Sequence, residues 1–236
     1  MADSCMNDPI AKLKQGVIVL CHAEGDEPFN FPDYIAAFAK AGEMGGAVGI
    51  RVQGIENVKS VRRAVSLPVI GLIRGTYQDG SALVTPDISD IDRLVDAGAD
   101  IVAIDVTRRV RPNGLDGPRF LEIARRRTDV PLIADISTLD EGIRASALGA
   151  DMIATTLSGY TPYTEDLADN YPDFNLIERL NAEVQTPLIA EGRIWSPSEA
   201  AHAIKCGAYA VVVGSAITRP RIITQRFAEI LRNLQP

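Results

Sequence analysis

Short apolar runs recur along this chain, separated by amphipathic stretches long enough to form helices. Three of them begin alike, at Leu67-Pro68-Val69-Ile70-Gly71, Val130-Pro131-Leu132-Ile133-Ala134 and Thr186-Pro187-Leu188-Ile189-Ala190. Each is answered downstream by a second run introduced by Gly-Ala: Gly98-Ala99 before Ile101 to Ile104, Gly149-Ala150 before Met152 to Ala154, and Gly207-Ala208 before Ala210 to Val213. Continuous apolar runs of this length are buried parallel strands, and the amphipathic stretches are their crossover helices. Proline is tolerated at the start of a strand, and glycine closes the preceding helix. A fourth copy fits Val17 to Cys21 and Ala47 to Arg51, giving eight strands. Eight alternating strands and helices predict one α/β domain over residues 1–236, a closed (β/α)8 TIM barrel.

Composition narrows the function. Hydrophobic residues make up 46% of the 236, enough to bury a large core, and no stretch reaches the roughly 18 continuous apolar residues of a membrane helix. The polar start from Met1 to Ile10 lacks the apolar run of a signal peptide. A net charge of −7 argues against nucleic acid or an anionic membrane as partner. Cys5, Cys21 and Cys206 have no metal-site spacing and read as reduced thiols. A cytoplasmic location is expected, with no metal.

Chemistry in such a barrel gathers at the C-terminal ends of the strands, where the following loops converge on one mouth. The polar residues there are His22, Arg51, Arg74, Asp105, Asp135, Thr155, Glu191, Arg193 and Ser215. The segment from Arg74 to Pro86 reads as a long loop. The last two strands deliver Glu191-Gly192-Arg193 and Gly214-Ser215-Ala216. Backbone N–H groups in these positions bind phosphate, glycine permits close approach, and Arg219 offers a bidentate fork. The plain alternative is a tight turn at Gly214 and a solvated Arg219.

Six pieces resemble the N-acetylmannosamine-6-phosphate 2-epimerases: Val48-Gly-Ile-Arg51, Pro68-Val-Ile-Gly71, Ala134-Asp-Ile-Ser-Thr138, Ala154-Thr-Thr-Leu-Ser-Gly-Tyr-Thr161, Ile189-Ala-Glu-Gly-Arg-Ile194 and Val213-Gly-Ser-Ala-Ile-Thr-Arg-Pro220. They span nearly the whole domain. The resemblance implies a barrel that inverts carbon 2 of a phosphorylated N-acetyl amino sugar in sialic acid breakdown, without cofactor. The implied partner is that small sugar phosphate, and a homodimer is compatible with it. Glu191 takes the place of the acid-side carboxylate, Arg51 and Asp135 of substrate contacts, and Gly192, Gly214, Ser215 and Arg219 of phosphate contacts. Asp105 is either a sugar-hydroxyl contact or a satisfied strand-end carboxylate. Thr155 reads as structural, and His202 as a packing histidine.

The chain departs from the family's pattern at two places. The family carries its base as a lysine in a phrase like Ile-Lys-Arg-Asp-Tyr, where this sequence reads Ile73-Arg74-Gly75-Thr76-Tyr77. Arginine is effectively always protonated and a poor proton acceptor. Lys12 and Lys14 precede the first strand, and Lys40, Lys59 and Lys205 lie on predicted helices. At the end of the first strand the family usually has glutamine, and here stands His22. A neutral imidazole is a competent base near pH 7. His22 therefore either takes the base's role, with Arg74 stabilising enolate charge, or only hydrogen-bonds the sugar. Three functional readings follow: the epimerase itself, an enzyme on another phosphosugar, and a phosphosugar-binding protein without catalysis.

Overall fold

In the computed structural model, which describes residues 8–167 and 171–233, eight parallel strands close into a barrel. In chain order the strands are β1 Val17–Cys21, β2 Gly49–Gln53, β3 Val69–Leu72, β4 Arg74–Thr76, β5 Ala82–Val84, β6 Ile101–Asp105, β7 Leu132–Asp135, β8 Met152–Ala154, β9 Leu188–Glu191 and β10 Ala210–Val213. β4 and β5 stand outside the barrel as an antiparallel hairpin. The other eight pair in sequence, and β10 returns to β1 to close the ring. Cys5 lies outside the described residues.

Among the described residues ten α-helices follow the same order: α1 Pro9–Lys12, α2 Pro32–Met44, α3 Ile55–Ala64, α4 Ile88–Asp96, α5 Gly117–Arg127, α6 Leu139–Ala147, α7 Phe174–Glu183, α8 Pro197–Lys205, α9 Ser215–Thr218 and α10 Pro220–Arg232. Capping residues start several of them. Thr138 and Glu141 form a capping box at α6, as Ser196 and Glu199 do at α8, satisfying N–H groups that a helix start leaves free.

Alternation along the strands divides the core in two. Ile18, Ile70, Ile101, Ile133, Met152, Ile189 and Val212 point into the barrel, with Leu13 beneath them. Val19, Val52, Val69, Val102, Leu132 and Ile153 face the helices outside. Leu13 is fully buried, and Tyr209 Oη donates to Ile10 O at 3.2 Å, so the segment around α1 closes the bottom of the barrel. With one end filled, the other is left for ligands.

Three local features differ from the sequence reading. β2 spans Gly49–Gln53, two residues later than expected, and opens on a glycine that packs closely on Leu13: a Cβ there would lie 2.5 Å from Leu13 Cδ2. The expected loop from Arg74 to Pro86 contains the β4–β5 hairpin, turning at Asp79-Gly80 with Gly80 at φ 83°. The Asp-Gly pair was its sequence signal. The bottom segment at α1 was not foreseen, since four residues carry no periodicity.

Candidate active site

Three strand ends from around the ring build the centre of the mouth. β2 delivers Arg51, β7 Asp135 and β9 Glu191, each at or near the strand's C-terminal end. Arg51 is 1% exposed and Asp135 fully buried. The guanidinium grips Asp135 with both amino groups, Nη1 donating to Oδ1 at 3.1 Å and Nη2 to Oδ2. The same Nη1 lies 2.9 Å from Glu191 Oε2, a charge contact without hydrogen-bond alignment. Thr156 donates to Asp135 Oδ1 at 2.9 Å. One cation thus serves two carboxylates, and the aligned bonds go to Asp135.

That imbalance sets the chemistry of Glu191. Burial pushes its pKa from 4.5 up to about 7; the Arg51 charge opposes the rise and the Asp135 charge adds to it. A carboxyl group at that value carries a proton for part of its time at neutral pH. Burial alone would lower the pKa of Arg51, but the charges of Asp135 and then Glu191 hold it above its ordinary value. Arg51 is a fixed positive charge.

His22 follows β1 and faces the same space. Its Nδ1 is buried with no hydrogen-bond partner among the described residues. Burial, and then the charge of Arg219, lower its pKa below 6.5, so the ring is neutral at pH 7. Two compartments of about 240 and 270 Å³ meet here, sharing Leu20, His22, Thr156, Tyr160 and Glu191 in their walls. The first is otherwise bounded by Gly192, Arg193, Trp195, Gly214 and Ser215. The second continues to Glu24, Arg51, Gln53, Arg74 and the hairpin residues Leu83 and Val84.

The first compartment is shaped for an anion. Gly192 adopts φ 114°, a conformation that favours glycine, and lines the cavity. Gly214 precedes α9, whose first N–H groups, on Ser215 and Ala216, have no acceptor within the helix. Thr218 Oγ1 donates to Leu20 O at 2.8 Å and holds this turn against β1. A Cβ at Gly214 would meet Leu20 Cδ2 at 3.0 Å and His22 Cε1 at 3.2 Å, which explains a glycine beside the imidazole.

The sequence-expected residues do not all converge. His22, Arg51, Arg74, Glu191, Gly192, Gly214 and Ser215 line one or other compartment. Asp135 lies behind Arg51 and acts through it. Asp105 is fully buried and lies away from the cavity, with its oxygens bonded within the protein. Its Oδ1 accepts from Thr107 N and Oγ1 at 2.9 and 2.7 Å, and its Oδ2 from Arg109 at 2.8 Å. It lines neither compartment, and Arg109, four residues further along in the loop after β6, has claimed it. Arg219 is also turned aside: Nε and Nη2 donate to Glu27 Oε1 at 3.1 and 2.7 Å. Thr155 Oγ1 bonds the backbone of Glu191, and His202 stacks edge-on against Phe174 at 4.5 Å, both structural placements. Thr156 and Glu24 were not found from sequence, since loop residues show no periodicity that would flag them.

The family described as "Putative N-acetylmannosamine-6-phosphate epimerase" matches residues 35–233. The chain belongs to this epimerase family. A relative from Caldanaerobacter subterraneus subsp. tengcongensis, named "Putative N-acetylmannosamine-6-phosphate 2-epimerase", is 50% identical over 226 residues, covering 95% of this chain and 94% of the relative. One of the same name from Clostridioides difficile is 42% identical over 220 residues, 93% and 97% of the two chains. A solved structure described as the N-acetylmannosamine-6-phosphate 2-epimerase from Clostridium perfringens superposes with a TM-score of 0.88 at 40% identity, covering 95% and 96%. A thiamine phosphate pyrophosphorylase from Pyrococcus furiosus, at 16% identity and TM-score 0.62, shares the fold alone.

Proposed function

We propose that this protein interconverts N-acetylmannosamine 6-phosphate and N-acetylglucosamine 6-phosphate by inverting carbon 2, in amino-sugar and sialic acid catabolism. The observation that carries the reading is the junction of the two compartments. There a neutral imidazole and a partly protonated carboxyl group face one space, the first lowered and the second raised until their ordinary order is inverted. Displaced titratable pairs of this kind are how acid and base are assigned in a site.

In the open-chain sugar, the proton at carbon 2 is acidified by the aldehyde at carbon 1. His22 takes that proton, and the C–H electron pair moves into the enolate. Arg51 and Arg74 both line the second compartment and supply the positive charge that stabilises the negative oxygen. Glu191 returns a proton to carbon 2 from the other face, and the electron pair re-forms a C–H bond with inverted configuration. The protein is left with His22 charged and Glu191 ionised, and exchange with water resets both. No net oxidation or reduction occurs. The phosphate sits against Gly192, Gly214 and Ser215; Arg219, held by Glu27, contributes its charge from behind the turn.

A different phosphosugar is the second reading, and the observation favouring it is Arg74, which cannot accept a proton. Incubation with N-acetylmannosamine 6-phosphate, its unphosphorylated parent and other hexose 6-phosphates separates the two. The first reading expects turnover of the N-acetyl sugar phosphate above all others, and a preference for another phosphosugar overturns it.

Two further expectations belong here. Among the described residues no helix is long and apolar enough to cross a membrane, which agrees with the cytoplasmic location we infer. The homodimer is supported by α10, which packs chiefly on α9 and leaves Phe227, Ile230 and Leu231 exposed.

A further inference from the structure

Glu24 lines the second compartment and follows His22, which lines both. One carboxylate oxygen, Oε1, accepts a hydrogen bond from Arg74 Nη1, and the other, Oε2, lies 3.5 Å from Arg219 Nη1. Its own backbone N–H donates to Glu27 Oε2 at 3.0 Å, and Glu27 holds Arg219. Loop 22–27 therefore reaches from the hairpin at Arg74 across His22 to the turn before α10.

Arg74 sits on a two-stranded hairpin outside the barrel, and its side chain is 45% exposed. Among the described residues its guanidinium is held by Glu24 and by no residue of the barrel strands. An ion pair this exposed adds little to folding stability. What it does is choose a rotamer: Glu24 lies in the wall of the second compartment and draws Arg74 along that wall, beside His22.

We propose that Glu24 is a positioning residue, fixing Arg74 over the sugar end of the site and tying it, through Arg219, to the phosphate end. The proposal rests on the epimerase reading for its kinetic consequence, but not for the contact itself. Arg74 stabilises the enolate only if its guanidinium is pre-set; a mobile one must be ordered in each turnover.

The test has two arms. In the kinetic arm, Glu24→Gln keeps the shape of the side chain and removes its charge. The expected result is a kcat lower by about tenfold or more with KM for the sugar phosphate little changed. In an Arg74→Gln background the same substitution costs nothing further, because the group it positions is gone. A wild-type kcat in Glu24→Gln, or an equal loss in both backgrounds, overturns the proposal. In the second arm, the Arg74 guanidinium N–H signals are followed by NMR on specifically labelled protein. They are expected to be resolved and restrained in the parent and averaged in Glu24→Gln. Signals already averaged in the parent, or unchanged in the variant, overturn it. A parent protein without turnover refutes the epimerase reading alone, and the NMR arm still decides the proposal.

Discussion

Replacing Glu191 by Gln separates catalysis from stability in a way few substitutions would. The side chain keeps its volume and its place beside Arg51, but it neither gives nor takes a proton. Turnover is expected to fall by about 100-fold or more, the ordinary scale of general acid–base catalysis. Folding should respond in the opposite sense. In the unfolded chain a glutamate titrates near 4.5, and in the folded protein Glu191 titrates near 7. Between these values the folded state binds the extra proton, so the wild type loses stability as pH rises from about 4.5 to about 7. Glutamine, a permanent mimic of the protonated form, escapes that loss. At 1.36 kcal/mol per unit, the displacement from 4.5 to about 7 sets an upper scale of roughly 3 kcal/mol. Chains of this size shift by about 2–4 °C per kcal/mol, so the variant should melt several degrees above wild type at pH 8 and level with it near pH 4.5. Calorimetry across pH 4.5–8, with turnover assayed on the same samples, makes the comparison. A melting difference that does not change with pH would refute the claim that burial beside Asp135 holds Glu191 protonated.

Other outcomes follow from the same charges. Arg51→Leu leaves Asp135 and Glu191 buried together without their cation, and breaking such a pair costs about 3–5 kcal/mol; urea denaturation monitored by circular dichroism measures it. In the deprotonation direction that uses His22 as base, activity needs a neutral imidazole and a protonated Glu191. Its pH profile is therefore a bell. The acid limb lies below 6.5, since His22 is lowered, and the alkaline limb near 7, since Glu191 is raised. A profile flat from pH 5 to 8 would remove both groups from the mechanism.

The barrel was legible because its strands are continuous apolar runs with a fixed prelude, and Arg51, Asp135 and Glu191 because polar residues at strand ends interrupt those runs. That Arg51 joins both carboxylates was not legible. The pairing needs the barrel to close, bringing residues 84 positions apart into contact. Asp105 and Asp135 look alike in sequence and stand side by side in the register of β6 and β7, yet only one reaches the centre. The difference is Arg109, a local partner that Asp135 lacks. The loop carrying Glu24 and Glu27 showed nothing but charge until the fold set Arg74 and Arg219 on either side of it. Sequence could flag Arg219 as a fork for an anion; only packing showed that a carboxylate of the same chain already fills it.

The central claim is that a proton leaves and re-enters carbon 2 in this mouth, with His22 taking the base's part. N-Acetylmannosamine 6-phosphate incubated with the protein in deuterium oxide and followed by proton NMR tests it directly. The account predicts that N-acetylglucosamine 6-phosphate accumulates carrying deuterium at carbon 2, and that His22→Gln yields neither product nor label. Product formed with its original carbon 2 proton, or full exchange in His22→Gln, would contradict it.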